Sequence, residues 1–178
     1  MPRTGWLLRG IPPAAAESVA GHSFEAAVYA LMLCRELSRK GFAADLGRAL
    51  TLALLHDSEE ALLGDVVKRA KLRARGLEEA RLEALRELGL GELTELLREY
   101  AELSSVEGVI AKISDLLATA NQAARYLDSG YRGVEDIALG ALSELDSLLR
   151  GLRDEELGRA LSEVIGKLVS PILRRPRA

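Results

Sequence analysis

Apolar residues return every three or four positions along almost the whole chain. Val19, Ala26, Ala27, Ala30, Leu33 and Leu37 recur at spacings of three, four and seven, the period of a helix with one buried stripe. Lys40-Gly41 closes that segment, because Gly stops helices well. Asp45 is a good N-cap for a second helix from about 45 to 56, whose buried stripe is Leu46, Ala49, Leu50, Ala53 and Leu54. Helical character continues to Leu63, and Gly64 ends it. Residues 66 to 103 keep the period but carry more charge. LEEARLEALRELGLGEL sets Glu and Arg three and four apart, as on a solvated helix with one apolar stripe. Ser104 stands three before Glu107, a capping-box spacing that opens a long helix. That helix runs through Val109, Ile113, Leu116, Leu117 and Ala120 to about Leu127. Gly130 and Gly133 break the chain before two further helices, roughly 134–150 and 154–168. The tail is expected to fray over 171–178.

No stretch alternates with the period of a strand, and no repeat or linker interrupts the helices. The expected fold is therefore all-α, a single helical domain over 1–178. Aromatic residues make up 4% of the chain, so Leu, Ala, Val and Ile must build the core. Cys34 and Met32 fall at core-like spacing, and Tyr100 and Tyr126 read as packing residues. A length of 178 residues with 48% hydrophobic and 29% charged content suits a domain that folds without a disulfide or metal staple. The net charge of −3 argues against a dedicated binder of nucleic-acid polymer, which is usually basic. Cys34 is the single cysteine, so a reducing compartment is the default. The N-terminal MPRTGWLLRGIPP lacks the apolar core of a signal peptide, and no apolar run approaches the ~20 residues that span a bilayer. These features predict a cytoplasmic protein that does not enter a membrane.

The chemistry concentrates around one of two histidines. In LLHDSEEALLGD, His56 and Asp57 are adjacent, Glu59 and Glu60 lie three and four residues beyond His56, and Asp65 follows Gly64. Helical spacing projects these groups toward one region. An imidazole among carboxylates forms either a divalent-cation site or an acid–base site; a solvated helix end is the plainer alternative. His22, the other histidine, lies near the start of a core-forming helix. Asp115 shares its helix face with Ala111, Ala118, Thr119 and Gln122, so it must find a partner where that small-residue face packs. Cys34 is a poor candidate nucleophile, since no third histidine could activate it.

Together these residues spell H…HD…D, and the pattern resembles the HD-domain phosphohydrolases. The blocks PRTGWLLRG, ESVAGHS, LLHDSEEALLGD and LREYAELSSVEGVIAKISD are similar to the 5′-deoxynucleotidase branch, and HDxxExxxGD is far more specific than His-Asp alone. The resemblance covers residues 2 to 115. It implies an all-helical enzyme that removes the 5′-phosphate from deoxynucleoside monophosphates. It implies one divalent ion held by His22, His56, Asp57 and Asp115. With two histidines in the chain, a mononuclear site is favoured. The ion could be Co²⁺, Mn²⁺, Ni²⁺, Fe²⁺, Mg²⁺ or Zn²⁺.

By the same resemblance, Glu60 would orient or deprotonate the attacking water. Asp65 would touch the sugar or help protonate the leaving oxygen. The segment 1–16 would fold over the site. Trp6 would either line the sugar pocket, where bulk near C2′ favours deoxyribose, or merely anchor that segment on the core. The bacterial members carry Arg directly before this Trp. Here Gly5 stands there, and Arg3 or Arg9 is the substitute. The basic run Lys68, Arg69, Lys71, Arg73 and Arg75 would draw in nucleotide anions through Lys68 and Lys71, or present a solvated helix face. A homodimer is also implied. Two alternatives stay open: an HD hydrolase of another nucleotide phosphate ester, and a non-catalytic helical nucleotide-sensing or interaction module.

Overall fold

A computed structural model describes residues 1–67 and 74–173. Its helices are α1 (Thr4–Leu7), α2 (Val19–Arg39), α3 (Leu46–Leu55), α4 (Glu60–Leu63), α5 (Leu77–Glu87), α6 (Thr94–Glu102), α7 (Val106–Asp128), α8 (Glu135–Gly151) and α9 (Glu155–Leu173). Short 3₁₀ turns precede α6 and α8. The fold is all-α; the extended pairing among the described residues is an isolated bridge between Pro2 and Ser18.

Helix α7 is the centre. It buries Val109, Ile110, Ala111, Ile113, Leu116, Leu117 and Ala118, more than one face, as a helix enclosed by others must. It packs on α2, α3 and α8, while α9 lies against α2 and α8. Alanines at these contacts, among them Ala26, Ala30, Ala49, Ala53, Ala111 and Ala118, are fully buried and let the backbones approach. Leu33, Leu37, Leu52, Ile110, Ile113 and Leu161 fill the space between. Cys34 joins this core, whereas Met32, one position from the Leu33 stripe, is 39% exposed.

Asp45 caps α3 as the sequence predicts, accepting from Arg48 N–H at 3.0 Å. Three boundaries differ from expectation. Leu103 turns left-handed (φ 53°) and ends α6, so the cap of α7 falls on Ser105, whose Oγ accepts from Gly108 N–H at 2.9 Å. Glu107, not needed for a capping box, accepts instead from Asp45 N–H at 2.7 Å and ties the starts of α3 and α7 together. The second helix stops at Leu55. Tight i→i−3 turns (Ser58 N–H to Leu55 O, Glu60 N–H to Asp57 O) carry the chain into α4, which Gly64 ends at φ 78°. Finally, α9 runs past 168 to Leu173.

The N-terminal segment packs as a second, smaller cluster on the end of α7. Trp6 and Ile11 meet Ala123, Tyr126 and Val134. Backbone approach is close: a Cβ on Gly133 would stand 2.6 Å from Arg9 O. Gly133→Ala should therefore displace the segment and cost about 1–3 kcal/mol. Thermal melting followed by Trp6 emission checks this; an unchanged Tm would contradict it.

Candidate metal centre

Three elements aim side chains at one buried point. His22 enters from the first turn of α2, which Ser18 caps through Gly21 N–H. His56 enters from the C-cap of α3 and Asp115 from the middle of α7. Each offers one ligand atom, and all three atoms lie within 4.8 Å of one another. His22 Nε2 is 3.1 Å from Asp115 Oδ1, and His56 Nε2 is 3.9 Å from the same oxygen. Asp57 brings Oδ2 to 3.2 Å of His56 Nε2 from the adjacent position.

The histidine chemistry fits a cation. His56 Nδ1 lies 2.9 Å from Ala53 O. A carbonyl only accepts, so Nδ1 carries the proton and Nε2 presents its lone pair when the ring is neutral. That Nε2 is buried, with Asp57 Oδ2 at 3.2 Å and Asp115 Oδ1 at 3.9 Å. Asp115 is equally prepared. Tyr100 O–H donates to its Oδ2 at 3.0 Å, and Lys112 Nζ donates to the same oxygen at 2.9 Å. Oδ1 is thereby left facing the two imidazoles, as a one-oxygen ligand. Lys112 also reaches Glu144 at 3.4 Å and lies 5.8 Å over the Tyr100 ring.

Electrostatics follow from this crowding. Burial lowers the pKa of His56, but the Asp57 and Asp115 carboxylates outweigh it and push the imidazole up to about 9. Burial raises the Asp115 carboxyl, yet Lys112 and the two histidines hold it well below the usual carboxylate range. Tyr100 is held well above its ordinary value by burial and by Asp115 and Asp57. With carboxylates gathered around it, the point where the ligands meet attracts positive charge, whether protons or a cation.

Glu60 is 3% exposed at the start of α4, and Glu59 beside it is 2% exposed. Glu59 accepts from Arg81 Nε at 2.7 Å, which fastens α5 to the turn carrying His56 and Asp57. Asp65 holds the N-terminal segment: its Oδ2 accepts from Thr4 N–H, and from Gly5 N–H at 3.4 Å, at the start of α1. Thr4 Oγ1 donates in turn to Asp65 O at 2.9 Å.

The two candidate arginines separate. Arg3 lies inward, with Nη1 3.5 Å from Thr119 Oγ1 and 3.5 Å from Glu17 Oε2. Burial opposes its charge, and Asp57, Asp115, Glu17 and Asp65 outweigh that and raise its pKa. Arg9 lies outward in a two-pronged pair with Asp136 on α8. Trp6 is 2% exposed; it meets Tyr126 edge-on at 5.2 Å and donates from Nε1 to Glu17 Oε2 at 2.9 Å. It thus anchors the segment on the core. Lys68 and Lys71 lie outside the described residues.

Tyr100, Lys112, Glu17 and Arg81 were not legible as site residues. Lys112 had a signal, being three positions from Asp115 on one helix. Tyr100 had none, since its meeting with Asp115 depends on how α6 packs across α7.

An all-α bundle with two histidines and an aspartate converging from separate helices defines a helical protein with a candidate single-ion centre. The chain belongs to the HD-domain family, whose family model matches residues 1–144. It is 32% identical over 135 residues to the 5′-deoxynucleotidase HDDC2 of Bos taurus, covering 72% of this chain and 62% of that protein. To the 5′-deoxynucleotidase hdd1 of Schizosaccharomyces pombe it is 27% identical over 148 residues, covering 77% and 70%. Among solved structures, a conserved hypothetical protein from Pyrococcus furiosus superposes with a TM-score of 0.79 at 34% identity, covering 98% of this chain and 92% of that one. The PH0347 protein from Pyrococcus horikoshii OT3 gives 0.79 at 30% identity, covering 98% and 91%. Among the described residues no helix is long and apolar enough to cross a membrane.

Proposed function

We propose that this chain is a metal-dependent phosphohydrolase that removes the 5′-phosphate from deoxynucleoside 5′-monophosphates. The observation that carries the reading is the convergence of His22, His56 and Asp115 beside the inward-facing Arg3, in an HD-domain chain similar to proteins named 5′-deoxynucleotidase. In this reading His22, His56, Asp57 and Asp115 hold one divalent ion of the Mn²⁺, Co²⁺, Ni²⁺, Fe²⁺, Mg²⁺ or Zn²⁺ class. Such an ion neutralises phosphoryl oxygens and makes water a better nucleophile near neutral pH.

The chain's own residues do the rest. Arg3 pairs with the phosphate, a role suited to a guanidinium whose nearest carboxylate, Glu17, stands at 3.5 Å. Glu60, buried where the tight turn from Asp57 enters α4, orients or deprotonates the attacking water. Asp65 fixes the start of α1, and so Arg3 and Trp6, over the site; it also touches the sugar or helps protonate the leaving oxygen. Trp6, buried against Tyr126 and bonded to Glu17, seats the segment that carries Arg3. Resemblance and composition support a cytoplasmic homodimer acting on free nucleotides.

The test is phosphate release from dAMP and AMP by metal-stripped protein resupplied with Mn²⁺ or Co²⁺. Turnover should require the ion and favour dAMP. Arg3→Ala should lower kcat/KM about 10- to 100-fold, the worth of one charge-assisted hydrogen bond. Absence of phosphate from every nucleoside monophosphate would sink the reading.

A further inference from the structure

Glu17 is a carboxylate buried to 6% side-chain exposure in the extended stretch leading to Ser18. Its backbone is pinned on both sides: Arg3 N–H donates to Glu17 O at 2.8 Å, and Glu17 N–H donates to Tyr126 Oη at 2.7 Å. Three groups face its Oε2. Trp6 Nε1–H donates to it at 2.9 Å, Arg3 Nη1 stands at 3.5 Å, and His22 Nδ1 stands at 3.9 Å. A neutral amide would satisfy the indole as well, and burying a charge is costly. The negative charge therefore answers to the other two groups.

His22 is the telling one. Its Nε2 faces Asp115 Oδ1, while its Nδ1 is buried and makes no hydrogen bond. If Nε2 offers its lone pair to a cation, Nδ1 must carry the proton, and the acceptor before it is Glu17. Ligating histidines usually hand their second N–H to such a carboxylate, which fixes the tautomer and ring orientation. A movement of roughly 1 Å would bring the pair to hydrogen-bond length.

We infer that Glu17 is a positioning residue shared by two parts of the site: it orients His22 toward the ion and at the same time holds Trp6 and Arg3 of the N-terminal segment. The inference rests on the reading of His22 as a metal ligand. It makes ion binding and the seating of the segment energetically linked, each favouring the other by the same factor. Trp6 is the single tryptophan of the chain, so its emission reports that linkage.

The experiment titrates Zn²⁺, a closed-shell ion, into the metal-stripped full chain, following heat and Trp6 emission together. Wild type should bind one ion per chain, with an emission change of the same midpoint. Glu17→Gln retains the acceptor for the indole and the shape of the side chain. It should bind Zn²⁺ about 10- to 100-fold more weakly and lose the emission response. If Glu17→Gln does not fold, Glu17→Asp, which withdraws the charge by one methylene, should show the same loss of affinity. Undiminished affinity in the folded variant, or flat emission across wild-type saturation, overturns the inference and leaves the metal centre standing. Zn²⁺ binding that is absent in wild type, or that survives His56→Ala, overturns the metal centre and the inference with it.

Discussion

Asp115→Asn should leave phosphate release at background. It should also weaken the ion by more than the roughly 100-fold that outer contacts command. The substitution is nearly isosteric but removes the charge on which the cluster is built. In the native site Tyr100 and Lys112 occupy Oδ2, so Oδ1 is the oxygen that meets His22 and His56. An amide in that place can turn its NH₂ toward the imidazoles and offers a weaker ligand. Lys112 would then keep Glu144 at 3.4 Å as its anionic partner. Removing one member of a buried pair costs about 3–5 kcal/mol; Lys112 is 24% exposed, which places the loss near the lower end. Calorimetry with Mn²⁺ and a urea melt check both parts. A variant that binds Mn²⁺ as tightly as wild type would remove Asp115 from the ligand set.

The metal-free protein should lose about 3 kcal/mol of stability as pH rises from about 6 to about 10. His56 stands at about 9 in the folded chain against an ordinary 6.5. Between those values the folded state holds a proton that the unfolded state has released. The stabilisation is therefore complete below about 6.5 and vanishes as pH climbs through 9. Asp115, held below the usual range, acts in the opposite direction: its contribution is present above its unfolded value and disappears in acid. Metal-free protein should thus be most stable in mildly acidic solution. Ion binding should run the other way, strengthening with pH up to about 9, because the ion competes with the proton for His56 Nε2. Urea melts in chelator at several pH values, with His56→Gln as reference, measure the first trend. A pH-independent plateau from 6 to 10 in wild type would count against the charged imidazole.

Much of this protein is written locally. The stripe Ala26, Ala30, Leu33 and Leu37 defines α2 because helical period is a matter of neighbours along the chain. Asp45 caps α3 for the same reason. The HDxxExxxGD block sets its carboxylates and imidazole close together in the chain, and packing then gives them separate partners: Asp57 beside His56, Glu59 on Arg81 and Asp65 on Thr4. Even the errors were local in cause. A left-handed Leu103 moved the cap from Ser104 to Ser105, and tight turns after Leu55 replaced a continuous helix.

The choices made by packing were hidden. Arg3 and Arg9 look alike in sequence, yet the seating of α1 under Asp65 sends one inward and leaves the other on Asp136. Tyr100 read as a core residue until α6 crossed α7 and brought its hydroxyl to Asp115. Glu17 gained its three neighbours from the segment before it, from α2 and from the fold of the chain back upon itself. Period, caps and motif spacing are short-range properties, so the all-α class, most of the helices and the candidate ion-holding groups are legible from neighbours along the chain. Packing settles which oxygen of Asp115 faces the histidines, which arginine turns inward, and which carboxylate stands behind His22. Apart from Glu17 and His22, which are near neighbours in the chain, those contacts join residues as many as 127 positions apart, and their geometry exists only once the helices have packed.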